Sequence, residues 1–219
     1  MAPQIITSSK WPRPDFVRKN LFELITSNPN NVPDDKPAFI RAADGKAYSR
    51  EQMFRDARRL AHAYVHKLKL KKGDRIGVFS PNSCFYPIAM WAGFISGVIL
   101  VPMNPGYGAE ELVHPVHDSA FKYLFVHPST LKVGRDGLKE AGSKMKTQEG
   151  INSIWIMSDN DSMEKGDAGE QDVRTLLGEE EMQPIKVDDP ENTLAFIAYS
   201  SGTTGRSKGT LLTHYNMSE

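Results

Sequence analysis

The stretch Tyr199 to Gly209, YSSGTTGRSKG, gathers the residue types that bind phosphate. Gly202, Gly205 and Gly209 admit backbone conformations with positive φ, so successive N–H groups can converge on one anion. Ser200, Ser201, Thr203 and Thr204 add hydroxyl donors, and Lys208 adds a full positive charge. A hydrogen bond to a charged group contributes about 1.5–3 kcal/mol, so four or five such donors suffice for a polyphosphate. The Walker A pattern G-x-x-x-x-G-K-[ST] does not fit, because Ser207 precedes the lysine and Gly209 follows it. The next residues, Thr210-Leu-Leu-Thr213, read as a strand. The expected device is a strand–loop–strand hairpin that holds phosphate without a helix dipole.

A loop of this kind needs a rigid platform, and the chain supplies an alternating one. The apolar run Leu194-Ala-Phe-Ile-Ala-Tyr199 leads straight into the loop. Upstream, the spacing predicts strands at 38–43, 75–80, 98–101, 123–126 and 151–156, with helices over 84–96, 109–118 and 130–146. Asp44-Gly45 marks a turn after the first strand. Ser49 starts a further helix with Gln52 at capping-box offset, an apolar face at Met53, Ala57, Leu60, Ala61, Tyr64 and Leu68, and an end at Gly73. This rhythm predicts an α/β fold, a mostly parallel sheet flanked by helices on both faces, with ligands at the carboxyl ends of its strands. Residues 1–35 read as an N-terminal arm with a short helix at Leu21, Phe22, Leu24 and Ile25, and residues 36–219 as the domain. Asp159 to Asp172 is polar and acidic, which predicts a mobile surface loop.

Composition narrows the function classes. Among 219 residues, Lys plus Arg and Asp plus Glu stand at 27 each, giving a net charge of zero. That balance argues against a nucleic-acid or anionic-membrane partner. The cluster Lys67 to Lys72 reads as a solvated helix end. The single cysteine, Cys84, excludes an intramolecular disulfide and reads as an inert buried thiol near a helix start. The apolar run Ile88 to Met103 is too short for a membrane span and is interrupted by Gly93, Gly97 and Pro102, so it reads as a buried helix and strand, with Trp91 and Phe94 in the core. The N-terminus lacks the pattern of a secretory signal. His114-x-x-His117 has metal-ligand types on one helical face but no cysteine beside it, and is read as a surface helix.

The motif YSSGTTGRSKG resembles the signature of the adenylate-forming (AMP-binding) superfamily, which includes acyl- and aryl-CoA synthetases, luciferase-like enzymes and nonribosomal adenylation domains. GDRIGVFSPNS (73–83), SGVILVPMNPGY (96–107) and LTHYN (212–216) stand in the superfamily's order, so the resemblance covers residues 37–219. VPMNPGY and YSSGTTG are most similar to 4-coumarate–CoA ligase-like and fatty-acyl-CoA ligase-like members. Ser207 departs from the usual proline, which implies a looser turn.

The resemblance implies the N-terminal part of the adenylate-forming fold and a two-step acid–thiol ligation. A small-molecule carboxylic acid and ATP, with Mg²⁺, give an acyl-adenylate, and coenzyme A as co-substrate then gives a thioester. It further implies that Ser200, Ser201, Gly202, Thr203, Thr204, Gly205 and Lys208 grip the β- and γ-phosphates, and that His214 is scaffold. The superfamily's aromatic-Gly-x-Thr-Glu and Thr-Gly-Asp motifs and its C-terminal lysine do not occur in the 219 residues. The expectation is therefore a truncated adenylation domain carrying the phosphate-binding half, with no catalytic residue or metal ligand of its own. The alternative reading is a catalytically incompetent nucleotide-binding module. The expected location is cytoplasmic, or peroxisomal where a C-terminal signal succeeds the last residue.

Overall fold

The inner strand sequences, Arg75–Phe79, Ile99–Met103, Tyr123–Val126 and Ile154–Ile156, are apolar at nearly every position because both faces of their sheet are covered. The computed structural model describes residues 19–142, 153–200 and 207–218, with Ser200 described by its backbone alone. The elements run α1 (Leu21–Thr26), β1 (Pro37–Ile40), β2 (Ala47–Ser49), α2 (Arg50–His66), β3 (Arg75–Phe79), α3 (Tyr86–Ser96) and β4 (Ile99–Met103). They continue as α4 (Ala109–Ser119), β5 (Tyr123–Val126), α5 (Leu131–Glu140), β6 (Ile154–Ile156), β7 (Gln171–Asp172), β8 (Leu194–Ser200) and β9 (Lys208–Thr213).

β1 and β2 form a separate antiparallel hairpin. The other strands make one sheet in the order β7-β6-β5-β3-β4-β8-β9, parallel throughout except for the antiparallel pair β8–β9. Alternation along each strand sorts the apolar run between two cores. Tyr123 and Phe125 of β5 pack on the side of α2 and α3, and Leu124 and Val126 on the side of α4 and α5. The fold is thus α/β with a mostly parallel sheet flanked by helices on both faces, as the sequence pattern requires.

α2 begins where its cap predicts, with the Ser49 side chain accepting from the Gln52 N–H. It ends at His66 and not at Gly73. Lys69 takes a left-handed conformation (φ 55°), and the N–H groups of Leu68 and Leu70 turn back to the carbonyls of Ala63 and Tyr64. This reversal buries Leu68 and Leu70 beyond the last helical turn, so the apolar periodicity outlasts the helix. The predicted helix near 130–146 is α5 over Leu131–Glu140, which ends with its cap at Ala141; residues 143–146 of that expectation lie outside the described residues.

The acidic segment 159–172 is also corrected: it is a pinned connection, not a free loop. Asp159 Oδ2 accepts from the Cys84 N–H at 2.8 Å, and its carbonyl accepts from the Arg41 guanidinium. Glu170 is buried against Arg135 at 2.6 Å, and Asp172, fully buried, accepts from Arg174 at 2.6 Å. Composition alone cannot anticipate this, because Asp159 and Glu170 find their partners far away in sequence, at Arg41, Cys84 and Arg135. Arg135 holds the Glu170 carboxyl below its usual range.

α3 lies close on the sheet, and its left-handed cap at Gly97 (φ 75°) returns the chain directly into β4. A Cβ on Gly93 would stand 1.9 Å from Leu100 Cδ2 and 2.8 Å from the Val98 carbonyl, so the helix seats through that missing methyl. Gly93→Ala should therefore lower unfolding stability by about 2 kcal/mol despite the higher helix propensity of alanine. Urea unfolding checks this, and an unchanged or raised midpoint would refute the close seating.

Candidate functional site

β8 ends at Ser200 and β9 begins at Lys208, and these two residues face each other as the last register pair of the hairpin. Of the sequence-predicted ligands, Ser201, Gly202, Thr203, Thr204 and Gly205 lie outside the described residues. The structure places the two feet of the loop, the Ser200 backbone and Lys208. Lys208 is exposed and carries no ion pair among the described residues. The hairpin opens at the carboxyl end of β8, the end at which its parallel neighbour β4 also finishes and where ligands of open α/β sheets sit. The loop leads into a strand and not into a helix.

Two anchors hold this hairpin. Near the tip, the Tyr199 hydroxyl donates to Asp118 Oδ2 at 2.6 Å, and His114 Nε2 donates to the Ser207 carbonyl at 2.8 Å. Burial, together with the adjacent Asp118 carboxylate, pushes the Tyr199 hydroxyl well above its ordinary range, so it stays protonated and donating. At the base, His214 is 1% exposed. Its Nδ1 accepts from the Leu21 N–H at 3.1 Å, its backbone N–H donates to the Thr193 carbonyl, and its ring stands edge-on to Phe94 at 5.9 Å. These contacts make His214 a tie between α1 and the hairpin base.

The sequence reading of His114-x-x-His117 did not foresee the first anchor. Its only trace in sequence is the i, i+4 spacing of His114 and Asp118, which puts both on one helical face. Among the described residues no group of three His, Cys, Asp or Glu side chains is arranged to hold a metal ion.

A separate cavity of about 450 Å³ lies between the β1 end and the N-terminus of α3, lined by Phe39, Ile40, Arg41, Cys84, Tyr86 and Asp159 among others. Burial raises the Cys84 thiol above its usual range, so it sits there as a protonated thiol. No helix among the described residues is long and apolar enough to cross a membrane.

The sequence pattern of the AMP-binding enzyme family matches residues 25–219. The chain belongs to this family. A long-chain-fatty-acid–CoA ligase of Escherichia coli O6:H1 is 30% identical over 199 residues, covering 84% of this chain and 35% of the relative. 4-Coumarate–CoA ligase 3 of Arabidopsis thaliana is 27% identical over 220 residues, covering 94% of this chain and 36% of the relative. Among solved structures, a long-chain-fatty-acid–CoA ligase from Archaeoglobus fulgidus superposes with a TM-score of 0.75 at 24% identity, over 96% of this chain and 40% of its own. At that identity the likeness shows the fold, here a part of the adenylate-forming enzyme fold. The chain spans roughly a third of the length of these curated family members.

Burial pushes the His214 imidazole down from 6.5 to about 4, with the Lys72 charge adding to the effect. A lowered native pKa means that stability is complete above pH 6.5 and is lost as pH falls toward 4, because only the unfolded chain takes up the proton in that window. The slope is about 1.4 kcal/mol per pH unit, so about 2 kcal/mol should disappear between pH 7 and pH 5. Urea unfolding at both pH values should show this loss, and His214→Gln should reduce it. Equal pH slopes in the two proteins would exclude the buried neutral ring as its cause.

Proposed function

We propose that this chain supplies the phosphate grip for ATP-dependent activation of a carboxylic acid, first to an acyl-adenylate and then to a coenzyme A thioester. The observation that carries the reading is the position of YSSGTTGRSKG across the turn of β8 and β9, at the carboxyl end of a parallel sheet, in a chain of the AMP-binding family. Ser200, Ser201, Gly202, Thr203, Thr204, Gly205 and Lys208 are its proposed ligands for the β- and γ-phosphates.

In the first step a substrate carboxylate oxygen attacks the α-phosphorus, and the bond from that phosphorus to the β-phosphate bridging oxygen breaks. Pyrophosphate leaves with the electron pair. Donors placed on the β- and γ-phosphates stabilise charge that grows as this bond breaks, so their contribution is larger in the transition state than in the ground state. In the second step the coenzyme A sulfur attacks the acyl carbon and AMP leaves. Mg²⁺ would neutralise phosphate charge, but the described residues offer no carboxylate or imidazole cluster for it, and no step is assigned through it. Two relatives whose names specify a long-chain fatty acid and 4-coumarate resemble this chain about equally, which supports the substrate class, a carboxylic acid, and no single member of it.

ATP–pyrophosphate exchange across a panel of carboxylic acids tests the reaction. Acid-dependent exchange supports it, binding without exchange limits the chain to the grip, and rapid ATP hydrolysis without acid points to an ATPase instead. Lys208→Ala should weaken ATP binding by about tenfold or more, the loss of one charged hydrogen bond, while AMP binding changes much less. Equal losses for the two nucleotides would place Lys208 away from the β- and γ-phosphates.

A further inference from the structure

We infer that His114 and Asp118 of α4 are positioning residues for the phosphate loop, each holding one strand of the hairpin where it opens. This rests on the reading of the hairpin tip as the phosphate site and adds to it the groups that fix the height and splay of the loop's feet.

The two latches are complementary. Tyr199 is the penultimate residue of β8, and its hydroxyl is bound by Asp118. Ser207 immediately precedes β9, and its carbonyl is bound by His114. One helix therefore touches both the descending and the ascending strand, next to Ser200 and Lys208. The chemistry of the second contact is unambiguous: a carbonyl oxygen only accepts, so His114 Nε2 carries the hydrogen.

The helix is seated directly on the strands at this point. Gly209 is the cross-strand partner of Tyr199, and a Cβ there would come within 3.2 Å of Tyr199 Cζ and 3.3 Å of Asp118 Oδ2. The His114 ring also meets the Tyr199 ring edge-on, with centroids 6.0 Å apart. α4 itself cannot shift easily, because its Leu112 and Val116 are buried in the core beneath the sheet. Ser207 leaves φ free where a proline would fix it, and the His114 hydrogen bond restrains that backbone from outside. The proposed consequence is a backbone already in place at Lys208, so that only its side chain has to be ordered when triphosphate arrives.

Hydrogen exchange monitored by mass spectrometry on the 219-residue chain tests the latch without requiring any ligand. His114→Ala and Tyr199→Phe should each speed exchange of the Lys208–Leu211 amides by about tenfold, with β3 and β5 unchanged. His114→Gln, whose amide nitrogen can donate from nearly the same place, should restore slow exchange. Wild-type exchange in His114→Ala, acceleration spread through the whole sheet, or no rescue by glutamine would each overturn the latch. ATP and AMP affinities of the same proteins separate the two readings. A selective loss of ATP affinity in His114→Ala supports the positioning role. Local acceleration with ATP affinity unchanged would overturn the positioning role and leave the phosphate reading standing, whereas an unaltered chain that binds no ATP would overturn the phosphate reading itself.

Discussion

The hairpin of β8 and β9 joins the parallel sheet along β4. β4 and β8 share a single register pair, Leu100 with Phe196, whereas β3 and β4 are paired along their full length. Side-chain packing holds β8 in place: Phe196 stands edge-on to Phe94 of α3 at 5.1 Å, and Ile197 enters the opposite core. The loop thus depends on both cores at once, because successive residues of β8 plug into the two faces. A sheet covered on one face only could not grip the strand in this way.

Given that seat, the hairpin is fixed at both ends by groups distant in sequence. Its base is tied to α1 through His214, and its tip to α4 through Tyr199 and Ser207. Asn20 extends the basal tie by donating to the carbonyls of Phe94 and Ile185, so the N-terminal helix closes the α3 side of the core. Strand pairing between β8 and β9 supplies stiffness along the hairpin, and these lateral contacts supply its orientation. Binding sites gain from this division, since strands already held on a rigid mount lose less entropy when a ligand is bound.

Charge is used differently on the opposite edge of the sheet. The segment from Asp159 to Asp172 carries carboxylates that would repel one another in isolation, yet Arg41, Lys46, Arg135 and Arg174 each take a share. The paired groups range from the exposed Asp161 to the fully buried Asp172. The exposed pairs contribute little, while loss of a partner at Glu170 or Asp172 would strand a buried charge. These pairs organise the connection from β6 to β7, after which the chain crosses the sheet to reach the hairpin.

Sequence alone determined the element types, the covered parallel sheet, the strand–turn–strand setting of the loop and the family, because each is written in local signals. Period-2 and period-3.6 apolar spacing, the Ser49 cap and the composition of YSSGTTGRSKG act over a few residues, and so they can be read over a few residues. Even the resemblance rests on contiguous words. Tertiary structure decided where those words are attached. It ended α2 at His66, because a left-handed Lys69 turned the chain while burial of Leu68 and Leu70 continued the apolar pattern. It turned an acidic stretch into a pinned one, and it brought His114 and Asp118 to a hairpin more than eighty residues away. A hydrogen bond between distant residues leaves no periodicity behind. Its donor and acceptor types are common across the chain, and only the packing of α4 against β8 and β9 selects the pairs that meet.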